Sequence, residues 1–205
     1  RLVNGKELHD IAKDPGQKIN VAKDHPQVVE ELRAAYETWW ESLQPAFARH
    51  AELVLGNPAE NPSRLTCHDW LTSGEHSPWN QSTIRAGQRT TGDWAVRVER
   101  AGQYRITLRR WPAEASGNLT KGLPAGSSVP GMEAFRETPG KALAIRSGGI
   151  RIGDVQLEKS VDPNADSVVF ETHLPAGLTR LMAYFELLDG ETIGAYYADV
   201  ERLGE

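Results

Sequence analysis

Cys67, His68, Asp69, Glu75 and His76 fall within ten residues and carry side chains that ligate metals or move protons. A cysteine-based zinc site needs further thiolate or imidazole ligands at set spacings, and here one thiol stands alone. Turn and capping duties account for the run, and no metal is assigned to it. His68 and Asp69 keep a second reading, as hydrogen-bonding groups that a loop presents to a neighbouring cleft. Arg97, Arg105 and Arg109, with Arg110 adjacent, form a basic group on one polar strand face. If Arg97 opposes Arg105 across a hairpin, like charges repel and an anionic partner such as a sulfated sugar is favoured. If the register slips by two, Glu99 opposes Arg105 and the face neutralises itself. Both registers fit the sequence. Among the six tryptophans, Trp94 is in phase with Val96 and Val98 and reads as core, while Trp39 and Trp40 belong to a helix. Trp79, Trp111 and Trp70 are left as flat apolar rings on which a pyranose could stack. Asn118-Leu119-Thr120 matches the glycosylation acceptor pattern and reads as coincidental.

One helix and a set of short strands must position these groups. Asp24-His25-Pro26 is a helix start, since proline is tolerated in the first turn, where its missing N–H would be unpaired. Val28, Val29, Leu32, Tyr36, Trp39 and Leu43 then recur at three- and four-residue steps and make one apolar stripe. Pro45 is expected to close this helix. Its stripe needs a partner that nothing before it is long enough to supply. Gly56 to Pro62 has the composition of a connector, and beyond it the period changes to two.

Trp94, Val96 and Val98, then Tyr104, Ile106 and Leu108 after Ala101-Gly102, predict a hairpin with one buried face. Leu143 and Ile145 predict another strand, and Ile150, Ile152, Val155 and Leu157 a further one, with a bulge or turn at Gly153-Asp154. Val168 to Leu174, Leu181 to Leu187, and Ile193 to Tyr197 after the Asp189-Gly190 turn complete the set. The stretch from Glu114 to Pro130 is expected to be a long mobile loop. The fold class is therefore mainly β: an antiparallel, jelly-roll-like β-sandwich preceded by a short N-terminal strand or loop and one amphipathic α-helix. The division is 1–50, a connector at 51–62, and the sandwich at 63–205.

Composition sets outer limits. The chain has 205 residues, 39% hydrophobic and 25% charged, so it can bury a sizeable core. Its formal charge of −5 argues against a general nucleic-acid binder. No apolar run approaches the ~18 residues of a membrane span. A single cysteine excludes an internal disulfide framework. The opening Arg1-Leu2-Val3-Asn4-Gly5 reads as a start inside a longer pattern.

Residues 4–22 carry a resemblance. Asn4-Gly5-Lys6-Glu7-Leu8-His9-Asp10-Ile11, followed by Asp14-Pro15-Gly16-Gln17-Lys18-Ile19-Asn20-Val21-Ala22, is similar to the closing segment of type I sulfatases. That family writes Glu-Leu-aromatic-Asp-Leu, then Asp-Pro-x-Glu-x-x-Asn-Leu-Ala, then a final helix; His9 and Gln17 depart from it. The remainder resembles the β-rich domain appended to many bacterial arylsulfatase-like proteins. Leu65-Thr66-Cys67-His68-Asp69-Trp70, Trp79-Asn80-Gln81, and Gly92-x-Trp94 through Arg109-Arg110-Trp111-Pro112 carry that likeness. The closing strands around Leu174-Pro175-Ala176-Gly177 are more distantly similar to carbohydrate-binding jelly rolls.

The resemblance implies the C-terminal part of a sulfate-ester hydrolase, periplasmic or secreted. Its partners would be the catalytic domain of the same polypeptide and a sulfated carbohydrate. Calcium and formylglycine would belong to that absent domain, with no cofactor here. The family's Cys-x-Pro-Ser-Arg nucleophile is lacking: Pro62-Ser63-Arg64 is preceded two residues earlier by Glu60, and Cys67 leads into His68-Asp69-Trp70. The chain is expected to be inactive alone and to contain no catalytic residue. Its substrate-binding candidates are His68, Asp69, Trp79, Asn80, Arg109 and Trp111, with a stand-alone carbohydrate-binding β-sandwich as the competing reading.

Overall fold

The computed structural model describes residues 1–74, 76–131 and 137–204. Two compact units divide the chain, Arg1–His50 and Ala51–Glu205.

In the first unit, strands β1 (Leu2–Val3) and β2 (Glu7–Leu8) pair antiparallel. The loop that follows is shaped by side chains acting on backbone. The Asn20 amide oxygen accepts from the N–H groups of Leu8 and Ala22, and Asp14 accepts from Ile19 N–H at 2.7 Å. The latter bond is the main reason the Asp14 carboxyl is held below its usual range. Helix α1 (Pro26–Phe47) begins with proline in its first turn, and the Arg33 guanidinium donates to the Gly5 carbonyl. Pro45 does not close the helix. It lies in the last turn and two further residues follow; so close to the end, its missing N–H bond and the crowding of the carbonyl four residues back disturb the helix only where it stops. Along α1 only Val29 is buried, whereas Val28, Leu32, Tyr36, Trp39, Trp40 and Phe47 are exposed. No helix among the described residues is long and apolar enough to cross a membrane.

The second unit is a β-sandwich. One sheet orders β3 (Leu53–Leu55), β5 (Asp93–Val98), β10 (Gly177–Leu187), β7 (Ile145–Ile152) and β8 (Val155–Ser160), with β11 (Thr192–Gly194) also on β10. The other orders β4 (Ser63–Thr66), β12 (Tyr197–Gly204), β6 (Gly102–Arg109) and β9 (Val168–Leu174). Among the described residues, every strand pairing is antiparallel except β3 with β5. Because β3 is part of the sandwich, 51–62 is not merely a connector; the strand precedes Gly56 and only the loop after it is irregular.

Both sheets feed one core, with Trp94, Val96, Leu181, Phe185 and Ile150 from the first and Tyr104, Ile106, Leu108, Phe170 and Val200 from the second. The expected β5–β6 hairpin is therefore wrong. The two strands share an apolar phase but lie in different sheets, and the chain crosses between layers at Gly102, whose φ of 148° an L side chain rarely adopts. Arg97 consequently opposes Leu178, and Arg105 lies between Glu171 and Glu201, so neither register considered for Arg97 and Arg105 occurs. The expected break between Ile145 and Ile150 is also absent, since β7 runs unbroken through Gly148-Gly149. The parity shift at Gly153-Asp154 is the turn of the β7–β8 hairpin.

Trp94 is fully buried and its indole N–H donates 2.7 Å to the Thr66 carbonyl, tying the first sheet to the edge of the second. Trp94→Ala is expected to destabilise the sandwich by about 3–5 kcal/mol, through lost burial and an unfilled cavity. Chemical denaturation checks this, and an unshifted midpoint would show the residue was misplaced in the core.

Candidate functional site

Strand alternation sends Leu65, Ala198, Val200, Ile106 and Leu108 inward, so their neighbours line the outer face of the second sheet. The pairing registers lay these out in rows. Tyr197 lies between Thr66 and Arg109, and Asp199 between Arg64 and Thr107. Glu201 and Glu171 flank Arg105.

Beyond β4 the chain makes a single 3₁₀ turn, Cys67–Asp69. Cys67 is buried, its N–H donates to the Tyr196 carbonyl at 2.8 Å, and burial pushes its thiol up to about 12, so it is no nucleophile. His68 points outward, and its Nε2 lies 2.8 Å from the Trp79 carbonyl, to which it donates. The two rings sit 5.8 Å apart with 30° between their planes. Trp79 is 76% exposed. Asn80 then caps helix α2 (Gln81–Ala86) with a capping box: its side-chain oxygen accepts from Thr83 N–H at 3.1 Å, and the Thr83 hydroxyl accepts from Asn80 N–H. The Gln81 amide reaches back to donate to the Tyr197 hydroxyl at 2.7 Å. Two residues span at most about 7 Å, so this bond holds the Trp79 backbone beside the Thr66–Tyr197–Arg109 row. The Thr66 hydroxyl donates to Asp69 at 3.3 Å.

The face is charged but paired. Arg64 meets Glu114 at 2.6 Å and Asp199 at 3.3 Å, and Arg109 meets Asp166 at 3.3 Å and Asp199 at 3.8 Å. Arg105 is held by Glu171 and Glu201 at 2.9 and 3.0 Å. A hydrogen bond from its own N–H, then one from Arg64, keeps the Glu114 carboxyl below its usual range. The Ser167 hydroxyl, then Arg109, does the same for Asp166. Burial raises the Tyr197 phenol.

Five of the six sequence candidates, His68, Asp69, Trp79, Asn80 and Arg109, gather at this end of the sheet. Trp111 does not. It is 1% exposed, and its indole N–H donates to the carbonyls of Asn118 and Lys121. Alternation stops where β6 ends, and Arg110 and Trp111 both turn inward; the guanidinium stacks 4.2 Å from the ring and donates to the Leu119 and Lys141 carbonyls. Burial without a carboxylate partner pushes Arg110 down to about 10. The clasp also corrects the expected mobile loop, whose first part is anchored with Leu119 fully buried. Trp70 is likewise buried, edge-on to Trp94 at 5.7 Å.

Tyr197, Gln81 and Asp199 are absent from the sequence candidates. Tyr197 reads in phase with Ile193 and Ala195, but the chain changes sheets at Tyr196, which reverses its parity. The Asn80-x-x-Thr83 spacing was the readable signal for the cap. Among the described residues no three His, Cys, Asp or Glu side chains converge to hold a metal; Glu75 lies outside the described residues.

Asn80→Ala is expected to cost about 1 kcal/mol through loss of the cap. A shift of the unfolding midpoint measures it, and no shift would mean that α2 does not depend on the box.

No family model matches the chain, and no curated protein matches it. Solved structures resemble it weakly. A ruminal GH26 endo-β-1,4-mannanase shares 14% identity over 70% of this chain, with a TM-score of 0.37, and the match spans 26% of the mannanase chain. The CBM35 from Cellvibrio japonicus Abf62 shares 13% over 70% of this chain and 89% of its own, with a TM-score of 0.32. The C-terminal CBM6 of the laminarinase LamC from Zobellia galactanivorans shares 12% over 69% of this chain and 100% of its own, with a TM-score of 0.35. Likeness at this level carries no information about ligand or activity.

Proposed function

We propose that the β-sandwich is a carbohydrate-binding module whose ligand lies along the Trp79 indole and the Thr66–Tyr197–Arg109 row. The observation that carries this reading is Trp79 itself, a largely exposed indole on a segment fixed at both ends. A single exposed apolar side chain is ordinary on a protein surface. What distinguishes Trp79 is its support: His68 holds its carbonyl, Asn80 caps the helix that follows, and Gln81 ties that helix to Tyr197. A flat ring on a held backbone, beside hydroxyl, amide and carboxylate groups, matches a sugar, which offers an apolar C–H face and a rim of hydroxyls. Holding these groups in place before binding reduces the entropy lost on binding. Trp79→Ala is expected to weaken polysaccharide binding at least about tenfold, the scale of one lost stacking contact. Affinity electrophoresis checks it, alongside an unchanged unfolding midpoint; binding that survives the substitution would refute the assigned site.

A second reading concerns residues 1–50 and complements the first. We read them as the closing element of a larger sulfatase-family catalytic domain, which would hold the calcium and the formylglycine, in a periplasmic or secreted protein. The supporting observation is the exposed aromatic run on α1. Tyr36 stacks on Trp40 at 6.2 Å and Trp40 meets Phe47 at 5.1 Å, while all three rings stay open to solvent. Leaving that area wet forgoes roughly 25 cal/mol per Å². Light scattering of the chain is expected to show self-association that Trp39→Ala/Trp40→Ala removes. A wild type that stays monomeric at high concentration would count against an adhesive face.

A further inference from the structure

We infer that the Trp79 site takes an uncharged, hydroxyl-rich glycan and discriminates against sulfated ones. This rests on the carbohydrate-binding reading above and deepens it. A sulfate group is bound by unshared donors, typically guanidinium forks or clustered backbone N–H groups. The three guanidiniums on this face are already committed, each to two carboxylates. Asp199 is shared between two of them, so three cations meet five carboxylates, and Asp69 adds a sixth acid beside Thr66. Together these nine groups carry three more formal negative charges than positive ones.

A sulfated chain laid across it would meet net repulsion from carboxylates that already neutralise the guanidiniums it would need. A neutral pyranose has the opposite fit. Its hydroxyls donate to the Asp69 and Asp199 carboxylates and exchange hydrogen bonds with Tyr197 and Gln81, while its C–H face covers the indole. The acids that repel sulfate are the acceptors a neutral sugar uses.

The test compares agarose-derived hexaose with κ-carrageenan-derived hexaose by calorimetry, with laminarin and galactomannan as further neutral probes, using the full chain. At least one neutral probe is expected to bind through Trp79, with affinity changing less than about twofold between low and ~0.5 M salt, because no charge is paired. The carrageenan hexaose is expected to bind at least about tenfold more weakly than that probe. Asp69→Asn/Glu114→Gln is expected to raise the carrageenan affinity several-fold, because it removes two of the repelling charges. Sulfated binding equal to or tighter than neutral binding, and lost in Trp79→Ala, would overturn the charge inference while leaving the glycan site in place. Failure of wild type to bind any probe, neutral or sulfated, would overturn the carbohydrate-binding reading and this inference with it.

Discussion

Trp70 is wedged between two stretches of backbone, and the candidate site hangs from it. A Cβ at Gly92 would lie 2.6 Å from the Trp70 Cβ, and one at Gly194 would lie 2.2 Å from its ring, so both positions must lack a side chain. The ring then meets Trp94 and Tyr196 and plugs one end of the sandwich. Three residues that face the site, Thr66, His68 and Tyr197, adjoin or bond to groups held here. Thr66 is fixed through its carbonyl by the Trp94 indole, His68 follows Cys67, and Tyr197 follows Tyr196, whose carbonyl takes the Cys67 N–H. A buried residue beside an outward one is the arrangement that lets packing density position a surface group, since interiors tolerate little displacement.

Strand positions were largely legible in the sequence and sheet membership was not, for a physical reason. Period-two alternation records that one face of a strand is buried; it does not record which of two facing sheets supplies the strand. β5 and β6, like β9 and β10, share phase because both layers bury side chains in the same core. Turn chemistry held the missing distinction. Gly153-Asp154 is a two-residue hairpin loop and Asp189-Gly190 sits in a slightly longer one, and both close true hairpins. Ala101-Gly102 and Pro175-Ala176 are not such pairs, and there the chain crosses between layers.

The site was legible to the extent that its residues come from one short segment. His68, Asp69, Trp79 and Asn80 lie within thirteen positions of one another. Tyr197 and Asp199 enter from the far end of the chain through strand pairing, which no local pattern announces. Trp111 misled for the opposite reason. Its neighbour Arg110 looked like part of a polar face, but a guanidinium can be buried when carbonyl oxygens accept from it and a ring lies against it, and this one is.

The two units differ in how their shapes are held, and that difference bears on what each is for. The sandwich owes its form to a core that spans both sheets. In the first unit, among its hydrophobic residues and histidines, burial is confined to Leu8, His9 and Val29, and the chain is shaped instead by Asn20, Asp14 and Arg33 bonding to backbone carbonyl and N–H groups. Each such bond is worth only about 1 kcal/mol net. Ordering ~50 residues costs far more in conformational entropy than a few of these bonds return. The backbone path of this unit is therefore specified by side chains acting on backbone groups, while its largest apolar side chains, Tyr36, Trp39, Trp40 and Phe47, contribute little burial to it.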